Sequence, residues 1–441
     1  MAGIEVIPSA KRLIISLRDL GYDFSQAVAD IVDNSITAEA SRIDIDIEFE
    51  GSNSWVRIAD NGTGMNRDQL REAMRYGSER TYGQGDLGKF GLGLKTASLS
   101  QCQLLTVASR SNPGRAEIAA FSWDLEHIER TNRWEVIPLD SKRSDPKIWT
   151  PLRHTTGTVV LWQRLDRILG SKLPYGASSR ELLSSMCRKV ELHLGMVFHR
   201  FLNAERELNG LEILLNGNTV QPWDPYCRAE ANTKVLNAIT LPFEHEAKAG
   251  RVLVEPYVLP HQDDFSSPEA FRHAKGPRSW NQMQGFYFYR ADRMIQSGGW
   301  SDLRVRDEHL KLARVAISFP ADLDEAFKIN VAKMRVQMPT QLRDTVDEAV
   351  NPFVKLAREV YDKKTAKPLN SATNSSVARR QVAHPVGASN SGAAAPSSSS
   401  HVGQSLFTFD EWTERLLAAA TDRERRTIKT VLDRMRAGVS P

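Results

Sequence analysis

The sequence predicts an α+β protein in which helices cover one face of a mixed sheet, followed by a smaller α/β domain. Three observations support this fold class. Helix-type and strand-type hydrophobic patterns alternate over residues 1–170, and a long helix, several strands and a closing helix fill 175–365. An acid-free, serine-rich stretch then begins at 366. Such a stretch buries too little apolar surface to offset its ordering entropy, so 366–404 is predicted to be a flexible linker.

The first domain is predicted to open with two helices and to continue with strands. Residues 9–20 have a helical pattern, and a second helix is predicted to begin at Ser25, whose hydroxyl can cap the first N–H groups. The strict alternation of I-D-I-D-I-E-F at 43–49 indicates a strand with one buried face. Further strands are predicted at Trp55–Ala59, Leu104–Ser109, Glu117–Trp123 and Thr158–Trp162.

The second domain is predicted to begin with an amphipathic helix at Arg180–Leu202 and to end with a helix at Gln341–Tyr361. Strands are predicted between them at 211–217, 252–259, 285–290 and 315–320. Beyond the linker, two short capped helices are predicted within 405–438. They are too small to stand alone, so we expect them to dock on this protein, to bind a partner or to self-associate.

Three motifs in the first domain carry candidate chemistry. In the first, Asp30 and Asn34 lie four residues apart on the Ser25 helix, so their side chains stand on the same stripe. A carboxylate and an amide placed in this way can hold a nucleophilic water and a hard cation that prefers oxygen ligands.

The second motif is a strand that runs into a glycine turn, W-V-R-I-A-D-N-G-T-G-M. Asp60 lies where the strand ends, and its carboxylate can accept a hydrogen bond from an exocyclic amine such as that of adenine. Gly62 and Gly64 allow positive φ and let the backbone approach a flat ligand. The segment therefore predicts a base-recognition site.

The third motif, G-K-F-G-L-G-L-K at 88–95, places glycines before a helix-like run. Small residues there let main-chain N–H groups and a helix N-terminus face phosphate oxygens, and Lys89 and Lys95 add positive charge. The surrounding 75–95 is predicted to be a mobile lid. Each motif alone is also typical of an ordinary turn or a solvated helix. Three of them in this order, within about a hundred residues, predict a site for ATP and Mg²⁺.

The set of motifs resembles the GHKL ATPases, which include gyrase B, HtpG-type chaperones, sensor histidine kinases, MutL and MORC proteins. The resemblance covers the helix motif, the D-x-G-x-G turn, the G-x-x-G-x-G-x-K lid and a later Gly157-Thr158 pair. It implies a Bergerat fold for the first domain, and its layout is most similar to MORC- and MutL-type ATPases. It also implies ATP contacts from the following residues: Asn34, Asp60, Gly62, Gly64, Met65, Gly88, Lys89, Phe90, Gly91, Leu92, Gly93, Leu94, Lys95 and Thr158.

The resemblance further implies the catalytic roles. Asn34 would ligate Mg²⁺, and Asp30 would orient or deprotonate the attacking water. The segment F-K-I-N-V-A-K-M-R-V resembles the MutL segment from which a lysine of the second domain touches the γ-phosphate, so Lys333 is the candidate for that role. An ordinary solvated lysine at a strand end is the alternative.

Two positions depart from the family pattern. Most relatives carry glutamate at the position of Asp30, and many carry aspartate at the position of Thr37. Aspartate is one methylene shorter than glutamate, so we expect slow hydrolysis. No histidine precedes Ser25, which argues against an autophosphorylating sensor kinase. A metal-binding cleavage domain and a CW zinc finger are likewise not expected.

Composition indicates a protein of the reducing cytoplasm. The three cysteines are scattered and suggest neither a disulfide framework nor a zinc site. No apolar run is long enough to span a membrane, and the N-terminus lacks a secretory h-region. The net charge of +4 permits contact with DNA without arguing for it.

Three functional hypotheses follow. The first is an ATP-gated homodimeric clamp of the MORC or MutL kind, acting with DNA or with a nuclease or helicase partner. The second is a chaperone-like or signalling switch that does not act on DNA, including a kinase of a separate protein. The third is a nucleotide-sensing module in which weak Asp30 chemistry makes hydrolysis incidental. The Lys333 segment favours the first.

Overall fold

A computed structural model describes residues 3, 6–19, 21–77, 93–114, 117–140, 145–169, 175–203, 210–245, 248–329, 333 and 336–365. These residues build two sheets with their helices, which we call the first lobe and the second lobe. The predicted lid residues Gly88, Lys89, Phe90, Gly91 and Leu92 lie outside the described residues, as do the predicted linker and the two C-terminal helices.

The first lobe is organised around an eight-stranded sheet in the order β5-β4-β3-β6-β2-β1-β7-β8. Neighbouring strands are antiparallel, except that β1 and β7 are parallel. The strands are β1 (Arg42–Glu48), β2 (Trp55–Asp60), β3 (Leu104–Arg110), β4 (Ala119–Asp124), β5 (Ile137–Pro138), β6 (Gly157–Gln163), β7 (Glu212–Leu215) and β8 (Asn218–Thr219).

Alternating side chains give this sheet two apolar faces. In β1, Ile43, Ile45 and Ile47 are buried, as the period of two predicted. Their face carries most of the core of the lobe. The opposite face has a smaller apolar cluster around Trp55 and Leu161. The mixed sheet with a helix-covered main face confirms the predicted α+β class.

Helices cover the main face of the first sheet. Their buried residues join the isoleucines of β1 in one cluster, with fully buried Val28 and Val32 in the second helix. The helices of this lobe are α1 (Ala10–Arg18), α2 (Phe24–Thr37), α3 (Arg67–Met74), α4 (Gly93–Leu99), α5 (Leu125–Thr131), α6 (Pro146–Trp149), α7 (Ala177–Val197) and α8 (His199–Leu202).

The second lobe contains a six-stranded sheet in the order β10-β11-β14-β12-β13, with β9 paired to β11. Its strands are β9 (Lys234–Val235), β10 (Ile239–His245), β11 (Lys248–Val258), β12 (Gly285–Arg290), β13 (Arg293–Ser297) and β14 (Ala313–Phe319). Its helices are α9 (Pro268–Ala274), α10 (Trp280–Met283) and α11 (Thr340–Thr365). The apolar stripe of α11, including Val346 and Val350, packs with one face of this sheet.

Three features of the fold differ from the sequence prediction. Asp23, not Ser25, caps α2: its carboxylate accepts from the Gln26 N–H and completes a reciprocal capping box. The predicted helix 180–202 is divided into α7 and α8 at Phe198. The strand at Glu212–Leu215 lies beyond the expected boundary at 170–175, yet it pairs with β1 of the first sheet.

The pairing of β7 has a physical reason. Parallel strands need a long crossover, and α7 supplies one by crossing the main face between β6 and β7. Leu194 of α7 and Ile213 of β7 both join the core of the first lobe. We therefore propose that the first domain extends through Val220, which belongs to the same core.

Candidate functional site

Helix α2 presents two carboxylates and one amide at the boundary between the lobes. Asp30 and Asp33 are buried, with 2% and 0% of their surface exposed, whereas Asn34 is exposed. The Asn34 amide donates to the Asp30 main-chain oxygen at 3.0 Å, which leaves its side-chain oxygen available. That oxygen suits a hard cation such as Mg²⁺. Among the described residues, no group of three or more histidine, cysteine or acidic side chains can hold a metal.

Asp30 accepts from two other parts of the chain. The Tyr22 hydroxyl donates to Asp30 Oδ2 at 2.8 Å, and the Lys333 ammonium lies 3.4 Å from Asp30 Oδ1. Burial, and then the neighbouring Asp30 charge, raise the pKa of Tyr22, so its hydroxyl stays a donor. Tyr22 therefore fixes one oxygen of the carboxylate and leaves the other facing Lys333.

Asp33 holds two cations from the second lobe. Arg293 Nε donates to Asp33 Oδ1 at 2.7 Å, and the Lys333 ammonium donates to Asp33 Oδ2 at 2.6 Å. Burial alone would raise the pKa of the Asp33 carboxyl, but Arg293 and Lys333 together lower it below its ordinary value. Asp33 is therefore an anion, paired on both oxygens.

Arg293 also holds the backbone next to the site. Its guanidinium lies 3.7 Å from Asp30 Oδ1, and its NH1 donates to the Lys333 carbonyl at 3.5 Å. Lys333 adopts a left-handed backbone conformation with φ of +49°. One arginine thus contacts both the carboxylates of α2 and the residue that carries the second cation. The sequence prediction named Lys333 and considered Asp33 only as a less likely base than Asp30, and it missed Arg293 and Tyr22.

Asp60 lies at the end of β2, opposite Thr158 of β6. Its Oδ1 accepts from the Gly62 and Thr158 N–H groups at 3.0 and 3.1 Å, and its Oδ2 accepts from the Ser35 hydroxyl at 2.8 Å. Burial raises the pKa of the Asp60 carboxyl, and these three hydrogen bonds oppose that shift. The network holds the carboxylate in one orientation, as base recognition requires.

A serine connects the glycine turn to β6. The Ser109 hydroxyl lies 2.9 Å from the Thr158 hydroxyl and accepts from the Met65 N–H at 2.8 Å. The structure therefore brings together Asp60, Met65 and Thr158, which the sequence prediction assigned to one ATP site. Ser35 and Ser109 were missed, because single serines carry no spacing signal.

A substitution of Gly64 tests how closely the glycine turn after Asp60 packs against the backbone of β3. Its φ is +66°, and a Cβ there would lie 2.1 Å from the Arg110 carbonyl oxygen. We expect Gly64→Ala to lower the free energy of unfolding by at least about 2 kcal/mol, because the backbone must shift. Chemical denaturation measures this difference.

Gly77→Ala is the matched control. Gly77 has nearly the same φ, +68°, but no atom of the described residues lies within 4 Å of its added Cβ. The control should show only the strain of a left-handed alanine, roughly 1 kcal/mol. Equal destabilisation by both variants would contradict the close approach at Gly64.

The end of the third motif lies beside α2. A Cβ on Gly93 would be 3.4 Å from Asp30 Oδ2, so the first residue of α4 is close to the carboxylate. Leu94 packs against the main core. Lys95 is buried, donates to the Ala73 carbonyl at 2.9 Å, and has its pKa lowered to about 8 by burial. In this conformation the Lys95 ammonium is thus bound within the fold.

Comparison with known proteins shows a similarity within the first lobe. Residues 22–158 match the family described as "Histidine kinase-, DNA gyrase B-, and HSP90-like ATPase". The chain is also similar to DNA mismatch repair protein MutL of several bacteria. It is 33% identical to that of Shewanella baltica over 116 residues, which are 25% of this chain and 18% of that protein. It is 34% identical to that of Aliivibrio fischeri over 113 residues, 24% and 17% of the two chains.

A longer match extends the similarity at lower identity. The MutL protein of Shewanella frigidimarina is 29% identical over 141 residues, 31% of this chain and 20% of that protein. The matches thus span a fifth or less of the length of these relatives. In the described part of the chain, no helix is both long and apolar enough to cross a membrane.

Proposed function

Because the chain belongs to the GHKL ATPase superfamily through residues 22–158, we propose that it binds and hydrolyses ATP with Mg²⁺ and that nucleotide controls the contact between its two lobes. One observation carries the proposal. Lys333 of the second lobe reaches both acidic residues of α2, at 2.6 Å from Asp33 and 3.4 Å from Asp30. A cation placed next to the proposed water-orienting residue can sense the arrival of a γ-phosphate.

Different residues of the site would bind the base, the phosphates and the metal ion. Asp60 would accept from the adenine amine, with Thr158 and Met65 held beside it by Ser109. The glycines of 88–93 would offer N–H groups to the phosphates. Asn34 would ligate Mg²⁺, which neutralises phosphate charge when bound. Asn34, Asp60, Met65 and Thr158 all belong to the first lobe.

Asp30 is suited to orienting the attacking water. Both of its oxygens face donors, Tyr22 at 2.8 Å and Lys333 at 3.4 Å. These two contacts hold the carboxylate in one orientation. Transfer of the Lys333 ammonium from Asp30 and Asp33 to a γ-phosphate would release one Asp30 oxygen for the attacking water. Slow hydrolysis, coupled to movement of Lys333, follows from this arrangement.

The similarity to MutL extends the proposal to assembly. We propose an ATP-dependent homodimeric clamp, with DNA and a nuclease or helicase as possible partners, in the cytoplasm. The support is the lysine from the second lobe together with the match to mismatch repair proteins. DNA retention must be measured at stated salt, because phosphate contacts depend steeply on ionic strength.

Asp60→Asn tests the nucleotide assignment. The amide can still accept from the Gly62 and Thr158 N–H groups, and the Ser35 hydroxyl can turn to accept from its NH₂, so the fold should survive. A donor would then face the adenine amine, costing about 1–3 kcal/mol, or roughly tenfold to a hundredfold in ATP affinity. Calorimetric titration with ATP and with GTP measures it. Unchanged affinity and base preference would place base recognition elsewhere.

Asn34→Ala tests the metal assignment. We expect the variant to lose Mg-dependent ATP binding, because alanine offers no oxygen ligand to a hard cation. Asn34 is exposed, so its removal should leave the fold intact. Titrations with Mg²⁺ and with EDTA separate the metal from the nucleotide. Parent and variant should differ only when Mg²⁺ is present, and a Mg-dependent affinity equal to the parent's would remove Asn34 from the site.

A further inference from the structure

A cavity lies in the second lobe, lined by residues of 296–306, 336–338 and Arg343. Its volume is about 520 Å³, within the range of small-molecule sites. Parts of four segments surround it: the end of β13, the loop that follows β13, residues 336–338, and the first turn of α11. None of its lining residues is among the proposed ATP-binding residues.

Three arginines give the cavity a positive lining. Arg304, Arg306 and Arg343 all line it, whereas Asp302 is the acidic residue in the lining set. Arg304 is paired with Asp347 of α11 at 2.6 Å. The charges of Asp302 and Asp347 offset two of the three arginines, so the lining keeps a net positive charge. The cavity therefore favours an anionic ligand.

Unused donors belong to the same lining. Arg304 Nε, Arg343 Nε and the Ser301 hydroxyl are buried, and none has a hydrogen-bond partner among the described residues. Buried donors are normally satisfied, because leaving one without an acceptor costs about 1–3 kcal/mol. These three atoms have almost no surface open to the cavity, so a ligand with acceptor oxygens would reach them only if their side chains moved.

Four apolar side chains also belong to the lining, beside the amides of Gln296 and Gln337. Trp300, Val336 and Met338 are buried, and Val305 is 87% exposed. The guanidinium group of arginine can donate two parallel hydrogen bonds to phosphate oxygens. Apolar side chains beside it can pack against the sugar or base of a nucleotide. The size, charge and apolar wall together match a phosphate-bearing ligand of about nucleotide size.

We propose that this cavity is a second ligand site that binds a phosphate group, either in a small free phosphate compound or in a nucleic-acid strand. The proposal goes beyond ATP hydrolysis, because it adds a site in the other lobe. Gln296 lines both this cavity and the cleft that contains Lys333, and its side-chain oxygen accepts from the Val336 N–H at 3.2 Å. Occupancy would thus be felt at Val336, three residues after Lys333.

The test uses the full chain and three variants: Arg306→Gln, Arg343→Gln and the double variant. Arg358→Gln is the matched control, since Arg358 is an exposed arginine of the same helix as Arg343 and does not line the cavity. Binding of a labelled single-stranded oligonucleotide and of inorganic phosphate is measured for each protein without ATP. ATP affinity is measured in parallel, so failure of this proposal stays distinct from failure of the proposed ATPase.

Each lost arginine should weaken phosphate binding about tenfold, and the control should bind as the parent does. Two results together support the site with a nucleic acid as its ligand. Inorganic phosphate should displace the bound oligonucleotide, and the slope of log affinity against log salt concentration should become shallower by about 0.7 for each arginine removed. Phosphate binding alone, lost in the double variant, supports a small ligand. Binding of neither probe, or equal binding by parent and double variant, overturns the proposal.

Discussion

Asp30→Ala is expected to bind ATP as the parent does and to lose at least about a hundredfold in hydrolysis rate, because the water loses its orienting group. Asn34, the proposed metal ligand, is unaffected by this change. The variant also frees Lys333 from one of its two carboxylates. The ATP-bound state should therefore accumulate, and the variant should sediment as a dimer that retains DNA with ATP but not with ADP.

Lys333→Ala should have the opposite effect. The variant should bind nucleotide through the first lobe but fail to close, because a ligand shifts an equilibrium only through contacts that differ between the two states. Lys328→Ala is a close control: Lys328 is exposed, lies five residues earlier and has a similar left-handed φ of +47°. Equal monomer fractions for Asp30→Ala and Lys333→Ala, with ATP and with ADP, would refute the clamp and leave a nucleotide-binding module.

Arg293→Gln is expected to cause the largest loss of stability, about 3–5 kcal/mol in the free energy of unfolding. The variant would leave the fully buried Asp33 carboxylate with one cation instead of two, because Lys333 is its other partner among the described residues. A buried charge that loses a partner is strongly destabilising. Combining Arg293→Gln with Asp33→Asn removes both charges and should restore part of the loss. A coupling energy of about 1–3 kcal/mol in this double-mutant cycle would confirm the pair.

Arg290→Gln is the control that distinguishes a loss of stability from a loss of nucleotide response. Arg290 and Asp324 form another ion pair in the second lobe, 2.8 Å long, and each side chain is only 4% exposed. Its loss should destabilise the protein without moving Lys333. Only Arg293→Gln should also reduce the preference for ATP over ADP, since Arg293 contacts the Lys333 backbone. An unchanged unfolding free energy in Arg293→Gln would disprove its pairing role.

Local patterns were sufficient to predict much of the first lobe. The alternation in β1 and the D-x-G-x-G turn each depend on neighbouring residues, so the α+β class and the GHKL resemblance could be recognised before the structure. The boundary of the first lobe could not be predicted in this way. A short strand such as β7 has the same pattern in either sheet, and only the packing of α7 decides its partner.

The ion cluster at α2 shows a second limit of sequence reasoning. Asp33 and Arg293 are 260 positions apart, and no spacing rule connects them. An aspartate on a helix is normally solvated, so Asp33 gave no sign of burial. Lys333 was found through a family segment alone, and its γ-phosphate role stays a prediction. The lid residues 88–92 lie outside the described residues, so their assigned contacts also stay predictions.

The parallel pairing of β1 with β7 limits how the molecule can be divided. A fragment that stopped at residue 170 would lack β7, so the outer backbone groups of β1 at Arg42–Ile45 would lose their partners. An unpaired strand edge is a template for association with other chains. The same fragment would lose the α7 side chains that cover the main face. Proteolysis between residue 170 and β7 should therefore release an N-terminal fragment that aggregates, whereas a cut beyond Val220 should not.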